Sequence, residues 1–575
     1  MSSDRSIVMR GMDRRGFLAR GSAAAFSANS LLRYGWGQNT DFVIAETSFG
    51  KIRGTANRGI KIFKGVAYGA STEGANRFMP AVDPASWAGV RDALEYGHSC
   101  PQGNPSPRAR DSAPAKASAT SQRGVTIPKP APGPSIFSAL GVPGDKNPGQ
   151  GEDCLVLNIW TPALNDGRKR PVMLWLHGGG FRGGSGSNPG WDGTNLCLRG
   201  DVVVITINHR LSAMGFANFS EFSPEFAASG QVGMLDIVHA LKWVRTNIAQ
   251  FGGDPNTVMI FGQSGGGRKV ETLLAMPSAK GLFHRAAIES GIATKIVERV
   301  VATRNAEALL AKLGISKTEV HKIQQLPMDQ ILIAAAAVDH DLGDADLDTM
   351  GFSPSVDGKI IPQHPFYPMA SPASADVPVL IGNTRTEYTG LTTDTALWHL
   401  DEDGMQTRIK QLLGEQSETM IDLYRKYNPS ATSSDIFFLI ESDFRYGAKT
   451  MKIAERRAAL GKGPVHLYYF AWETPVQGGQ LKSPHNIEWP FAFDNVEICA
   501  KLTGGGPEAI ALADKVSDAW IAFARTGNPN TPKLPHWPVF DSTDRATMVI
   551  NNTSKIANDP LREQRIAMFH ALDLP

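Results

Sequence analysis

A serine with a glycine two residues to either side, Gly262-Gln263-Ser264-Gly265-Gly266, closes the apolar run Thr257 to Phe261. This is the G-x-S-x-G pattern of a nucleophile elbow, in which a strand turns sharply into a helix and presents the serine at the turn. The flanking glycines are needed because the backbone there is strained and crowded. The hydroxyl would then sit beside the positive end of the following helix, here Val270 to Met276. The bland alternative, an ordinary strand-to-helix turn, requires none of the partners described next.

A second glycine cluster, His177-Gly178-Gly179-Gly180-Phe181, follows another apolar run, Val172 to Leu176. Acyl transfer builds an oxyanion that preorganised backbone N–H groups must meet. An HGGG-type loop joined by the N–H after the nucleophile would supply donors at Gly179, Gly180 and Gly265. The remaining partners should follow in the order serine, acid, histidine. His466 lies inside an apolar run and His284 just before one, which marks them as core or surface residues. His485 sits in a loop after the last long run, Val465 to Trp472, where a general base would be presented. Glu387 follows the run Val377 to Ile381 directly. Position alone leaves Glu387 open between a catalytic acid and a solvated loop carboxylate.

These groups need a scaffold that brings several strand ends to one edge. From Leu155 onward apolar runs alternate with helical spacing, as in Met234, Val238, Leu241, Val244 and Ile248. The continuous β-branched run Val202 to Asn208 suits a strand covered on both faces. The pattern predicts an α/β fold, a large, mostly parallel sheet with helices on both faces. Two helical blocks, Ile296 to Ala337 and Met405 to Leu460, should lie over its carboxyl edge. Near the N-terminus, Phe42 to Arg53 and Ile60 to Val66 read as strands around a turn at Gly54. Pro507 opens a long helix that stops at Gly527.

The chain has 575 residues, 42% of them hydrophobic, and carries 58 basic against 56 acidic residues. With no basic stripe, nucleic acid is excluded as an expected partner. After residue 40 no apolar run nears the roughly 20 residues of a membrane helix. Asp13-Arg14-Arg15-Gly16-Phe17-Leu18 and the alanine run after it resemble a twin-arginine export signal. The expected organisation is therefore a signal over 1–37, cleaved between Ser27 and Gln38, and one catalytic domain over 38–575. A periplasmic or extracellular location permits a disulfide. Cys100 and Cys154 are the expected pair, bracketing the proline-rich segment Gln102 to Gly151, while Cys197 and Cys499 should be buried thiols. No His/Cys/Glu grouping suggests a metal, and no cofactor is expected.

The chain resembles the type-B carboxylesterase family, which includes the cholinesterases and bacterial p-nitrobenzyl esterases. The likeness rests on Phe63-Lys-Gly-Val-Ala-Tyr68, Arg77-Phe78, Glu152-Asp-Cys154-Leu-Val-Leu-Asn158, Gly200-Asp-Val-Val-Val204, Asn208-His-Arg-Leu211, Phe251-Gly-Gly-Asp-Pro255 and Gly281-Leu-Phe-His-Arg285. It implies the α/β-hydrolase fold, Ser264 as nucleophile, His485 as base and then acid, and Glu387 as the acid that orients it. It also implies a Cys100–Cys154 disulfide. The resemblance thereby decides the role of Glu387 that position leaves open.

Several residues depart from the family pattern. Gln263 and Gly265 replace the usual Glu and Ala, and Arg268 and Lys269 stand where small residues are customary. Five helical residues rotate Lys269 away from Ser264, so both bases are expected to be solvated or ion-paired. The expected activity is hydrolysis of a small-molecule carboxylic ester through an acyl-enzyme. Two rivals are an amidase or carbamate hydrolase with the same triad, and a non-catalytic binding module. Phe181, Trp191, Tyr388, Trp398 and Trp489 are candidate walls for a bulky or aromatic substrate.

Overall fold

In the computed structural model, which describes residues 41–103, 143–342 and 350–574, the apolar runs become strands of one sheet. The first four are β1 (Phe42–Thr47), β2 (Gly50–Asn57), β3 (Ile60–Ala67) and the short β4 (Val90–Asp92). Next come β5 (Val156–Thr161), β6 (Arg170–Leu176), β7 (Val203–Ile207), β8 (Gly253–Gln263) and β9 (Arg285–Glu289). The last are β10 (Val379–Thr384), β11 (Val465–Phe470), β12 (Ala546–Ile550) and β13 (Lys555–Asn558). Their spatial order is β1-β2-β3-β5-β7-β6-β8-β9-β10-β11-β12-β13, with β4 beside β2.

The centre, from β7 to β12, is parallel throughout. Antiparallel pairs flank it on both sides. Alternate residues of each central strand serve opposite faces. Val172 and Leu174 of β6 pack with Val203, Ile205 and Ile260, beneath Met234, Val238 and Leu241 of the helix Val232–Asn247. Met173 and Trp175 join Val204, Met259 and Phe261 on the other face. There they meet Leu512, Val516, Trp520 and Phe523 of the helix Pro507–Thr526, which Gly527 ends in the left-handed region at φ 78°. All five residues of β7 are buried, as a doubly covered strand requires.

Because the central strands are parallel and closely in register, their carboxyl ends share one edge. Leu176 pairs with Gly262, Gln263 with Glu289, Gly382 with Glu289, and Thr384 with Phe470. The two helical blocks are present, as Arg299–Leu313 and Met328–Asp341, then Glu402–Leu413, Ser417–Tyr427, Ser433–Ser442 and Ala448–Ala458. The second block meets the carboxyl edge, where the Tyr388 N–H donates to Ser442 Oγ at 3.0 Å.

Gly54 is not a turn residue. The chain reverses at Ser48-Phe49 and again at Arg58-Gly59, leaving Gly54 inside β2. A Cβ there would lie 2.6 Å from the Phe63 ring and 2.3 Å from the Ile62 carbonyl, so the glycine serves close strand packing. The expected signal segment 1–37 and most of the Gln102 to Gly151 stretch fall outside the described residues. No helix of the described residues is long and apolar enough to cross a membrane.

A disulfide joins Cys100 to Cys154, and Cys197 and Cys499 are buried free cysteines. Beside the disulfide, the buried Arg77 guanidinium grips Glu152 with both nitrogens, Nε at 2.7 Å. The disulfide spans 54 residues. In the chain-entropy account a loop of that size stabilises by about 4 kcal/mol. Cys100→Ser should lower the urea-unfolding free energy by about 2–4 kcal/mol, with thiol reduction of the wild type producing the same loss. Equal stability of oxidised and reduced protein would show that the bond constrains nothing.

Candidate active site

β8 delivers Ser264 into a backbone conformation that few side chains tolerate, φ 58° and ψ −121°. Such a residue costs about 1–3 kcal/mol and persists only where its surroundings fix it. The Ser264 N–H donates to the Glu289 carbonyl at 2.8 Å, and Ser264 O accepts from Arg268 N–H at 3.0 Å. The helix Gly265–Leu274 begins at once. A Cβ on Gly266 would lie 2.0 Å from the Leu176 carbonyl, and one on Gly262 2.6 Å from the same oxygen. Both glycines of the motif are therefore steric requirements.

The His177-Gly-Gly-Gly180 loop leaves β6 at the same edge. A Cβ on Gly265 would lie 2.4 Å from the Gly180 nitrogen, so the two backbones meet without a side chain between them. Gly179 and Gly180 have φ of 89° and 62°, which glycine adopts freely. The structure thus gathers all three expected oxyanion residues around the turn.

Glu387 is fully buried at the start of a short turn after β10, not solvated. Its Oε2 meets His485 Nδ1, while its Oε1 accepts from the Thr384 N–H at 2.8 Å and from Ser290 Oγ at 2.6 Å. A carboxylate on Nδ1 fixes the tautomer with the proton there and the lone pair on Nε2. Nε2 faces the Gln263 side-chain nitrogen at 3.2 Å. Ser264 Oγ makes no hydrogen bond to His485 in this arrangement, and such contacts often tighten only when substrate is bound.

Ser290 and Glu488 complete the cluster. Ser290 Oγ lies 2.7 Å from Glu488 Oε1 as well as 2.6 Å from Glu387 Oε1, yet it has a single proton to give. Burial first, and Glu387 second, push the Glu488 carboxyl well above the usual range. Ser290 Oγ is thus within donor reach of both carboxyl groups, and its one proton serves one of them at a time. No sequence signal singles out Ser290, which directly follows β9.

A cleft of about 640 Å³ is lined by Gly178, Gly179, Trp191, Gln263, Asn486 and Trp489, among others. Gln263, which precedes Ser264, and Asn486, which follows His485, are both among its lining residues. A cavity of about 50 Å³ beside Tyr424 and Tyr468 is too small for a substrate. Of the aromatic candidates, only Trp191 and Trp489 reach the cleft, with ring centroids 6.0 Å apart. Phe181 is buried against Phe216, and Tyr388 and Trp398 pack on Phe438 in the helical block.

The model of the carboxylesterase family matches residues 41–569. The chain belongs to the carboxylesterase family. It is 33% identical over 530 residues to the para-nitrobenzyl esterase of Bacillus subtilis (strain 168), covering 92% of this chain and 98% of that protein. A crystal structure of a carboxylesterase from Geobacillus stearothermophilus superposes with a TM-score of 0.73 at 34% identity, covering 91% of this chain and 99% of the other. An esterase from the anaerobe Clostridium hathewayi, described as able to hydrolyse aliphatic aromatic polyesters, gives 0.76 at 31% identity, over 92% and 100%. The fold is the α/β-hydrolase fold, and the protein is a serine carboxylesterase.

This carboxylesterase buries charge along the elbow helix. Lys269, expected to be solvated or ion-paired, is fully buried rather than solvated, and donates to two backbone carbonyls. Glu271 is fully buried too. One oxygen accepts from the Ala293 N–H at 2.7 Å and the other has no partner. Burial, only partly offset by that bond and by Arg268, raises its carboxyl to about 8. Between about pH 4.5 and 8 the native protein holds a proton that the unfolded chain has released, so stability falls as pH rises through that window. The penalty is on the order of a few kcal/mol above pH 8. Glu271→Gln is neutral at every pH. Urea unfolding of variant and wild type at pH 5 and pH 8.5 should show the variant gaining on the wild type at the higher pH. A difference that does not change with pH would contradict the raised carboxyl.

Proposed function

We propose that this enzyme hydrolyses carboxylic esters through a covalent acyl–Ser264 intermediate, with His485 as base and Glu387 as its orienting acid. The observation that carries the reading is the buried Glu387–His485 contact at the same sheet edge as a serine held in strained geometry. In the first step Ser264 Oγ attacks the ester carbonyl while His485 Nε2 takes the hydroxyl proton. The oxyanion receives N–H donors from Gly179, Gly180 and Gly265. The imidazolium, stabilised by Glu387, returns the proton to the departing alcohol. Water, deprotonated by the same nitrogen, then releases the acid and restores the serine.

For the substrate, the Trp191 and Trp489 rings and the cleft volume support a bulky or aromatic ester. The paired arginines support export through a twin-arginine route to the periplasm or outside the cell, with residues 38–575 as the catalytic domain.

Ser264→Ala should remove turnover of a short-chain p-nitrophenyl ester by several orders of magnitude with the far-ultraviolet dichroism unchanged. Glu387→Gln should lower kcat by roughly 10³–10⁴. Near-wild-type turnover in either variant would remove that residue from the mechanism. Exchanging Arg14 and Arg15 for lysine should leave the unprocessed precursor in the cytoplasmic fraction. Export at the wild-type level would show that these residues are not read as an address.

A further inference from the structure

We propose that Lys269 is a positioning residue that locks the glycine loop into its oxyanion-binding shape. The proposal rests on the reading of Ser264 as the nucleophile. Lys269 Nζ donates to the His177 carbonyl at 2.8 Å and to the Gly180 carbonyl at 2.9 Å. These oxygens bracket the loop at its two ends. Between them, Gly178 O accepts from His177 Nδ1 at 2.9 Å and Gly179 O accepts from the Gly183 N–H at 3.1 Å. Every carbonyl from residue 177 to residue 180 is thus held.

In a planar trans peptide the C=O and N–H point in opposite directions. Fixing the carbonyls of Gly178 and Gly179 therefore fixes the N–H groups of Gly179 and Gly180 on the opposite side of the loop. Three successive glycines lose more backbone freedom on ordering than any other tripeptide would. A loop of this composition needs ties at both ends to present its donors preorganised, and Lys269 supplies both from one atom. Hydrogen bonds from an ammonium are roughly twice as strong as neutral ones.

The surroundings suit a fixed cation. Nζ also lies 5.6 Å from the Phe181 ring centroid. His177 and His209 stack with ring centroids 5.1 Å apart. Burial first, and then the charge of Lys269, push both imidazoles well below their usual range, so they stay neutral beside it. The residue lies five positions after Ser264, on another face of the helix, and acts on the serine's reaction only through the loop.

The test compares wild type with Lys269→Met, which keeps the length and removes charge and donors. With p-nitrophenyl acetate, kcat should fall about 10–100-fold, below the 10²–10³ of losing a donor outright, while KM stays within threefold. Inhibition by an alkyl trifluoromethyl ketone, which forms the tetrahedral oxyanion, should weaken by the same factor. Binding of a non-reacting ketone of the same shape should not change. A residue that merely fills space would lower the melting temperature without moving the ratio of these two affinities. Unchanged kcat, or a lowered kcat with unchanged trifluoromethyl ketone inhibition, would overturn the proposal. Should Lys269→Met not fold, Lys269→Gln is read by the same ratio, and failure of both to fold would make the residue one of stability and overturn the proposal as well. Labelling of the wild type by a fluorophosphonate separates the two readings. Labelled Ser264 with an unaffected variant sinks the loop proposal alone, whereas a wild type unlabelled at Ser264 sinks the nucleophile and the loop proposal with it.

Discussion

The helix after β8 can start where it does only because it passes against the end of β6 with no side chain in the way. The Leu176 carbonyl occupies the space that a Cβ on Gly262 or Gly266 would need, and Gly180 occupies that of Gly265. This crossing forces Ser264 into its strained turn and lays the glycine loop of β6 against the helix start. The pairing of Leu176 with Gly262 in the sheet makes the approach inevitable, since it sets both strand ends at one level. The sheet around it, buried on both faces, is what holds about 1–3 kcal/mol of local strain in place.

The same edge concentrates buried polar groups, which are costly unless each proton has a destination. Glu387 meets this by accepting from a backbone N–H, a hydroxyl and the His485 ring. Glu488, at the far side of Ser290, is pushed well above the usual carboxyl range by burial and by the neighbouring Glu387. Glu289, beneath the serine turn, accepts from the Trp520 indole at 2.7 Å and is raised by burial to about 8. The site thus sets Glu387 against the histidine, with the carboxyls of Glu488 and Glu289 around it pushed upward by burial.

Much of this arrangement is legible in the chain. Long apolar runs ending in glycine clusters located β6 and β8, and with them the serine and the glycine loop. The β-branched run at Val203–Ile207 announced a strand covered on both faces. Two short, exposed elements were not legible: β4, with all three residues exposed, and β13 show no apolar run. The buried β12 lies in the unmarked region after the last long helix. Gly54 read as a turn because glycine signals both turns and close packing, and only the neighbouring Phe63 ring distinguishes them. Glu387 was undecidable from position, since burial of a loop carboxylate depends on residues far away in sequence, Ser290 and His485. Lys269 was misjudged for the same reason. A lysine in a helix is normally solvated, and nothing local shows that two carbonyls from another strand end lie within its reach.

The central claim is that Ser264 carries the acyl group, and the most direct measurement is to find that group on the chain. Brief reaction with a slowly released aryl ester, acid quenching, and peptide mapping by mass spectrometry should place one acyl adduct per molecule on the peptide containing Ser264. An adduct on another residue, or steady turnover with neither a burst of alcohol nor an adduct trapped at any substrate concentration, would contradict the account.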